Sequence, residues 1–483
     1  MSGYFVENFG CRATQADGAA LERQFAERGL LPASRSADAS VVVLNTCTVT
    51  AAADQDARAA VRRVQRQNPK AKIVVTGCYA QRAPEELAAL PGVSVVVGNS
   101  HKHRLAEIAL EPHAHEYGPA QNFFPLEGLS SRQASTDSSS VFVSDIFAHT
   151  ELLAAPVFDA VHERTRPNLK VQDGCDNRCS FCVIPFVRGH SRSLPLDRII
   201  REVNTLVESG YREIVISGIN LGRWGRDLGP GSRLSAAGSR RRTLRVGTPR
   251  FEDLIRSILE ETRVEKLRIS SVEPMDWSDE LIAWVASSPR IAKHAHVPMQ
   301  SGSDAVLRRM HRKYRPWHYR EKIEKIRSAM PTAAIGADVM VGFPGETESE
   351  FDATRRMVEE LPFTYLHVFT YSPRPGTPAA AMPVQIPVAL ARDRNRVLRE
   401  LAAEKKLAFM QSFIGRTIEA ITLRLPEGAG ETAPQATEAL TDNYLKLRLK
   451  GLHDSNRWLR AEVAEVADGA LVGTVKESVP VRQ

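Results

Sequence analysis

The most informative segment of the chain is CDNRCSFC, residues 175–182, in which three cysteines have the spacing C-x3-C-x2-C. On so short a loop, the thiolates of Cys175, Cys179 and Cys182 can bind three irons of a cubane 4Fe-4S cluster and leave the fourth iron without a protein ligand. A zinc knuckle is the alternative, but it needs a fourth ligand, and His190 lies outside ordinary zinc-finger spacing. The spacing favours a cluster with one open iron, which is a site for chemistry.

The chain around this loop has the pattern of an α/β barrel. Candidate strands at residues 212–220, 266–274, 294–300, 335–343 and 365–373 alternate with amphipathic helices at 279–288, 318–330 and 348–361. Such repetition predicts a whole or partial (β/α) barrel whose active site lies at the carboxyl ends of its strands. Glu273, Gln300 and Asp338 stand at predicted strand ends, where pocket residues belong, and loop capping is the alternative role for each.

Three further cysteines, Cys11, Cys47 and Cys78, each follow a predicted strand. Valine-rich runs such as VVVLNT alternate with helices, one of them predicted at residues 17–28, and so predict a Rossmann-like parallel α/β domain. Because the carboxyl ends of such strands line a common crevice, these cysteines can meet in space. Their spacing matches no short metal motif, but with their common location after strands, metal binding and buried structural cysteines are equally open.

The end of the chain predicts a small β-barrel of roughly 60 residues, entered through a polar helix at residues 389–413. Basic side chains on its short strands can bind RNA phosphates. The alternative is that they form the solvated face of a structural domain. These residues are Arg416, Arg424, Lys446, Arg448 and Lys450.

Length and composition agree with a chain of several domains. At ~150 residues per domain, 483 residues suggest about three. We expect an N-terminal domain at 1–115, a linker at 116–160, a central domain at 161–400 and a terminal domain at 401–483. The net charge of +7 suits an anionic partner. Without a signal peptide or an apolar run of ~20 residues, we expect a cytoplasmic protein, no membrane and reduced thiols rather than disulfides.

Together, the two cysteine triads and the terminal barrel resemble the radical S-adenosylmethionine (SAM) methylthiotransferase family along nearly the whole chain. The motifs are LNTCTVT at Cys47, VTGCYAQ at Cys78 and VQDGCDNRCSFCVIPFVRG, and the terminal barrel resembles the RNA-binding TRAM module. The resemblance implies that the central triad holds a 4Fe-4S cluster that cleaves SAM. It implies a second 4Fe-4S cluster, held by Cys11, Cys47 and Cys78, that carries the transferred sulfur. Phe181 would lie beside the SAM adenine, and Glu273, Gln300 and Asp338 would bind the cofactor or position the substrate.

The motifs NTCTVT, VQDGC and GINLGRWGRDL look most like the branch that modifies threonylcarbamoyladenosine in tRNA. The resemblance then implies methylthiolation of C2 at position 37 in the anticodon stem-loop. It also implies a reductant protein such as flavodoxin or ferredoxin, and it names no sulfur donor. The alternatives are isopentenyladenosine in tRNA, an aspartate of a ribosomal protein, and a non-catalytic RNA-binding protein with structural zinc.

Two features depart from the family pattern. His190 and Leu194 stand where the family usually has arginines. Residues 229–250, with six arginines and no acidic residue, look like an insertion, which could bind phosphates or form a solvated loop.

Overall fold

The computed structural model describes residues 3–111, 139–149, 152, 165–229, 248–424 and 436–478. The chain forms two compact units, one of residues 1–153 with 186–189 and the other of residues 154–185 with 190–483. The Arg-rich insertion, apart from its end residues, and most of the predicted linker at 116–160 lie outside the described residues.

A parallel six-stranded sheet in the order β2-β1-β3-β4-β5-β6 forms the first unit. Its strands are β1 (Gly3–Asn8), β2 (Leu31–Pro32), β3 (Val41–Thr46), β4 (Lys72–Gly77), β5 (Val93–Gly98) and β6 (Ser140–Phe142). Its helices are α1 (Arg12–Ala26), α2 (Ala51–Gln67), α3 (Cys78–Arg82), α4 (Pro84–Ala88) and α5 (Leu105–Leu110). Alternate residues of β3 enter two separate apolar clusters, so helices cover both faces of the sheet. The predicted parallel α/β domain is confirmed.

Two details of this unit differ from the sequence prediction. Residues 140–142, inside the predicted linker, pair with β5 as a sixth parallel strand. Helix α1 begins at Arg12 rather than at Asp17. The Asp17 carboxylate is buried and accepts a hydrogen bond from Lys102 Nζ at 3.1 Å.

The second unit begins with an arc of mostly parallel strands. They are β7 (Asn168–Asp173), β8 (Arg192–Ser193), β9 (Glu213–Gly218), β10 (Lys266–Ile269), β11 (His294–His296), β12 (Ala334–Val341) and β13 (Tyr365–Thr370). The sheets β10-β9-β7-β8 and β11-β12-β13 are joined by parallel bridges between Leu267 and Ile291 and between Ser271 and His296. Only β8 runs antiparallel to its neighbour. The arc stays open among the described strands, as expected for a partial barrel.

Helices separate the strands of the arc at nearly the predicted places. They are α6 (Ile184–Arg188), α7 (Leu196–Glu208), α8 (Phe251–Glu261), α9 (Asp279–Ser287), α10 (Asp304–Arg309), α11 (Pro316–Ala329), α12 (Glu348–Glu360) and α13 (Val388–Gln411). Capping explains several helix starts: the Ser278 hydroxyl accepts from Leu281 N, and Thr347 forms a capping box with Glu350.

A closed five-stranded barrel ends the chain, in the order β14-β15-β16-β18-β17. Its strands are β14 (Thr417–Thr422), β15 (Ala436–Thr441), β16 (Lys446–Lys450), β17 (Trp458–Ala467) and β18 (Ala470–Ser478). Met410 and Phe413, at the end of α13, pack into the core of this barrel. The predicted barrel is confirmed.

Candidate functional site

The loop between β7 and α6 carries the three central cysteines. Cys175, Cys179 and Cys182 are free thiols and are partly buried. Burial raises the pKa of Cys175, and it raises the pKa of Cys182 to about 12, with the charge of Cys179 adding to both shifts. Three such thiolates repel one another unless a cation lies among them, so this loop is suited to bind metal.

Nitrogen donors surround the sulfurs of this loop. Cys175 Sγ accepts from Asn177 N at 3.4 Å and from Asn220 Nδ2 at 3.6 Å. Cys179 Sγ accepts from Arg312 Nη1 at 3.3 Å. Hydrogen bonds to the ligand sulfurs stabilise their negative charge and tune the potential of an iron-sulfur cluster.

Arg312 links the cysteine loop to Glu273. Its side chain is almost fully buried, and its second amino group donates to the Glu273 carboxylate. Burial alone would lower the pKa of Arg312, but Tyr314, Glu273 and Cys179 together raise it, so the guanidinium stays charged. The sequence prediction includes Glu273 and misses Arg312. Arg312 stands in the basic run HRKYR, where nothing in the pattern separates it from surface residues.

Gln300 and Asp338 lie beside each other on neighbouring chain segments. The Gln300 backbone has φ 62°, unusual for a residue other than glycine, and its N–H donates to the Asp338 carbonyl at 2.8 Å. Asp338 lies in the middle of β12 and not at a strand end as predicted, because β12 continues for three more residues. Its Oδ1 lies 3.2 Å from His296 Nε2.

Phe181 packs in an apolar cluster next to the cysteine loop. Its ring meets Phe343 edge-on at 6.5 Å between centroids, and Met340 and Tyr371 are in the same cluster. Apolar packing therefore accounts for the position of Phe181, and its role beside an adenine stays a prediction.

In the first unit, the three N-terminal cysteines lie at the carboxyl ends of β1, β3 and β4, which are neighbours in the sheet. Cys11 precedes α1, Cys47 follows β3, and Cys78 begins α3 directly after β4. Gly10 allows a close approach: with φ 96°, an added Cβ would lie 2.5 Å from Cys47 Cβ. Sheet order and one glycine thus bring together cysteines that are far apart in the sequence.

Burial and mutual charge dominate the electrostatics of this second triad. Burial raises the pKa of Cys47 to about 12, and the charges of Cys78 and Cys11 add to the rise. Cys47 Sγ accepts from Val49 N at 3.5 Å, and Cys78 Sγ accepts from Asn99 Nδ2 at 3.6 Å.

A buried ionic network, which the sequence prediction misses, lies within the same unit. The Asp17 carboxylate accepts from Lys102 Nζ at 3.1 Å and from Arg188 Nη2 at 3.0 Å. Lys102 Nζ also donates to Asn45 Oδ1 at 3.2 Å. The positive charge of Arg188 opposes the rise in the pKa of Cys47, but it is the smallest of the causes, and burial keeps that pKa high. Asp17 and Lys102 are 85 residues apart, so the sequence pattern gives no signal of this pairing.

Each triad consists of three cysteine thiols, which is the ligand set of a cubane 4Fe-4S cluster with one open iron. Within the described parts of the chain, no three His, Cys, Asp or Glu side chains are arranged around one metal ion. A cubane cluster gives each thiolate its own iron, so its ligands need not converge on one point. His190, the only sequence candidate for a fourth zinc ligand, places its Nδ1 2.8 Å from Asp176 Oδ1 and is exposed.

The terminal barrel presents part of the predicted basic surface. Along β16, Lys446, Arg448 and Lys450 alternate with the buried Leu447 and Leu449, so the three basic side chains share the outer face. Arg448 Nη1 lies 2.9 Å from Asp468 Oδ2, which partly neutralises its charge. Lys446 and Lys450 are exposed.

Comparisons with known proteins agree with this arrangement. Residues 3–98 match the uncharacterized protein family UPF0004, and residues 169–358 match the radical SAM superfamily. The threonylcarbamoyladenosine tRNA methylthiotransferase MtaB of Aquifex aeolicus is 34% identical over 456 residues, which cover 94% of this chain and 98% of that protein. The tRNA-2-methylthio-N(6)-dimethylallyladenosine synthase of Erythrobacter litoralis is 32% identical, covering 89% of this chain and 88% of that protein.

A solved structure supports the fold. The radical SAM methyltransferase TsrM of Kitasatospora setae superposes with a TM-score of 0.52 at 15% identity, covering 78% of this chain and 74% of that chain. Among the described residues, no helix is long and apolar enough to cross a membrane. Two cysteine triads, the matched radical SAM region and relatives aligned over nearly their full length lead to one conclusion. The chain belongs to the radical SAM tRNA methylthiotransferases, enzymes that use S-adenosylmethionine and two 4Fe-4S clusters.

Proposed function

We propose that this protein methylthiolates C2 of N6-threonylcarbamoyladenosine at position 37 of tRNA, next to the anticodon, giving 2-methylthio-N6-threonylcarbamoyladenosine. The observation that carries the proposal is the presence of two separate cysteine triads in a chain of this family. The choice of nucleoside rests on the relative named for threonylcarbamoyladenosine, which aligns over 98% of its length.

In this proposal each triad holds its own cluster: Cys175, Cys179 and Cys182 hold the SAM-binding cluster, and Cys11, Cys47 and Cys78 hold the other. When bound, the first cluster supplies the electron that cleaves SAM reductively, and the second supplies the sulfur. A radical route suits the target, because the C2–H bond of adenine is neither acidic nor electrophilic enough for ordinary acid-base or nucleophilic catalysis.

The protein groups around the central triad hold and orient its ligands. Asn220 and the Asn177 amide donate to Cys175, and Arg312 donates to Cys179. Glu273 holds Arg312 in place, so we assign it a positioning role. We further propose that Phe181, Gln300 and Asp338 line the space for SAM and substrate, with Phe181 against the adenine of the cofactor. Apolar side chains such as Phe343 exclude water from that space.

The partners follow from the same chemistry. The anticodon stem-loop of tRNA is the substrate, and Lys446 and Lys450 contribute sequence-independent contacts to its phosphates. A cytoplasmic location gives access to tRNA and to an electron donor such as flavodoxin or ferredoxin.

The experiment offers the anaerobically reconstituted protein two tRNAs, one carrying threonylcarbamoyladenosine and the other isopentenyladenosine, together with SAM, sulfide and a reductant. Mass spectrometry of the nucleosides should show the methylthio product from the first tRNA only. Product from the isopentenyl tRNA alone would favour the activity named for the Erythrobacter litoralis relative. Failure to modify either tRNA would contradict the proposal.

A further inference from the structure

One face of the sheet β11-β12-β13 carries rings and ionisable groups. The parallel register pairs Asp338 with His367 and Met340 with Phe369. Alternate residues of a strand share a face, so six polar or aromatic side chains point to the same side. This ring face consists of His294, His296, Asp338, Tyr365, His367 and Phe369. The opposite face of β12 is fully buried and apolar, with Ile335, Val339 and Val341 at 0% exposure.

The side chains of the ring face contact one another in a continuous series. Tyr365 and His367 have ring centroids 5.4 Å apart, and His367 and Phe369 have centroids 6.5 Å apart. The ring centroids of His296 and His367 are 5.5 Å apart, and His296 Nε2 lies 3.2 Å from Asp338 Oδ1. The rings stand on strands of a packed sheet and are therefore rigid supports.

At its lower end, where strands β11 and β13 begin, the ring face is filled by packed side chains. His294 is buried, and its Nε2 lies 2.7 Å from the Tyr365 hydroxyl. Tyr444, from the turn between β15 and β16, adds a ring 5.1 Å from His294 and 6.3 Å from Tyr365. Gly336 makes room for this packing, because an added Cβ would lie 2.0 Å from Tyr365 Cζ. A ligand therefore cannot enter between these rings.

Among the described residues, nothing covers the upper end of the ring face, towards the carboxyl ends of the strands. Phe369 is 47% exposed, and His367 is also exposed. Just beyond Phe369, Tyr371 packs edge-on against Phe343, whose ring meets that of Phe181 in the cysteine loop. A flat ligand on His367 and Phe369 would therefore lie next to the loop of Cys175, Cys179 and Cys182.

A nucleobase is the ligand that fits such a platform. Bases stack on aromatic side chains with a gain of about 1–3 kcal/mol each, and enzymes that modify a base bind it outside its own stack. An unpaired base in an RNA loop costs little to extrude. The exposed rings can stack on a purine, and the imidazole of His296, next to Asp338, can hydrogen-bond its edge. The cysteine loop lies nearby, so the base would be held close to the site of the chemistry.

We propose that Phe369 and His367 form the platform on which the target adenine of tRNA stacks, and that His296, positioned by Asp338, hydrogen-bonds the edge of that base. The inference rests on the proposed function, since the adenosine is taken from the anticodon loop. It assigns substrate-binding residues for the same reaction.

The test compares the affinity of the full-length protein for two anticodon stem-loops, one with adenosine and the other with an abasic site at the target position. For the wild type, the base should strengthen binding roughly ten- to a hundredfold. This ratio should fall close to one in Phe369→Leu and decrease in His367→Ala, while binding of the abasic RNA stays unchanged. Phe369→Tyr keeps a ring and should keep the ratio.

The matched control is Leu407→Ala, because Leu407 lies on α13 and is 48% exposed, close to the value for Phe369. The inference is overturned if the ratio of affinities for the two stem-loops stays at the wild-type value in both Phe369→Leu and His367→Ala. It is also overturned if this ratio falls to one in Phe369→Tyr and Leu407→Ala as well. A wild-type protein that forms no methylthio nucleoside would contradict the proposed function separately, since the affinity ratio requires no turnover.

Discussion

The two cysteine triads are assembled in opposite ways. The central triad lies on one loop, so its geometry depends on a few neighbouring residues. The N-terminal triad depends on the order of β1, β3 and β4 in a parallel sheet and on the space left by Gly10. The central triad forms once its own loop has folded, whereas the N-terminal triad forms only when the three strands β1, β3 and β4 have paired in the sheet. We therefore expect metal loading at the second triad to be more sensitive to changes in the fold.

The triads also differ in how charge is balanced. A buried arginine, Arg312, donates directly to Cys179 in the central loop. In the N-terminal triad, the donors to Cys47 and Cys78 are the neutral Val49 amide and Asn99, and Arg188 acts on Cys47 only through its charge. The central triad thus has a charged hydrogen-bond partner of the kind that tunes a reactive cluster.

The largest expected effect is on the central loop. Cys179→Ala removes one ligand of the SAM-binding cluster, so formation of 5′-deoxyadenosine should fall to background in a chromatographic assay of the reconstituted protein. Asp176→Ala, an exposed change in the same loop, should keep most of the activity and serves as the control. If the Cys179→Ala protein cleaved SAM at the normal rate, the assignment of this triad would be wrong.

The charged partner of the central triad gives the next effect. Arg312→Gln removes the donor to Cys179 and the partner of Glu273, so reductive cleavage of SAM should fall by roughly ten- to a hundredfold, as for other residues that support metal ligands. The control is Arg320, whose side chain is 39% exposed and pairs with Glu360, and Arg320→Gln should change the rate little. Equal rates of SAM cleavage in the Arg312→Gln and Arg320→Gln variants would show that Arg312 does not support the central cluster.

A smaller effect should separate the second triad from the first. Gly10→Ala places a methyl group against Cys47 and adds backbone strain of about 1–3 kcal/mol, so the N-terminal cluster should load less iron while SAM cleavage is kept. Gly29 also has a positive φ, but nothing lies within 4 Å of an added Cβ. Normal iron content in Gly10→Ala, or an equal loss in Gly29→Ala, would show that the close approach is unimportant.

The smallest effect concerns the terminal barrel. Reversing the charges of Lys446 and Lys450 should weaken tRNA binding and reduce the slope of log affinity against log salt by about 2, near one unit per phosphate contact. Reversal of Arg201 and Arg396, which are 68% and 62% exposed on other surfaces, controls for net charge. Salt slopes that fall equally in both double variants would indicate a general charge effect and no binding surface on β16.

The sequence predicts the parts of the site that depend on local spacing. The C-x3-C-x2-C loop, the βα repetition and the strands that precede Cys47 and Cys78 all carry their signal in consecutive residues. Arg312 and the pairing of Asp17 with Lys102 carry no such signal, because each depends on elements distant in sequence. Asp338 shows the same limit on a smaller scale: the position of a residue within a strand depends on the neighbouring strands, and pairing with β13 places Asp338 in the middle of β12.

The main expectation for this protein is that the two triads hold two clusters with separate duties. Its most direct test measures iron, sulfide and 5′-deoxyadenosine in two reconstituted variants, one with Cys11, Cys47 and Cys78 changed to Ala and the other with Cys175, Cys179 and Cys182 changed to Ala. We predict that each variant keeps about half of the wild-type iron, and that only the first still cleaves SAM, without transferring sulfur. The assignment of one cluster to each triad would be wrong if either variant kept its full iron content, or if the first variant formed methylthiolated tRNA.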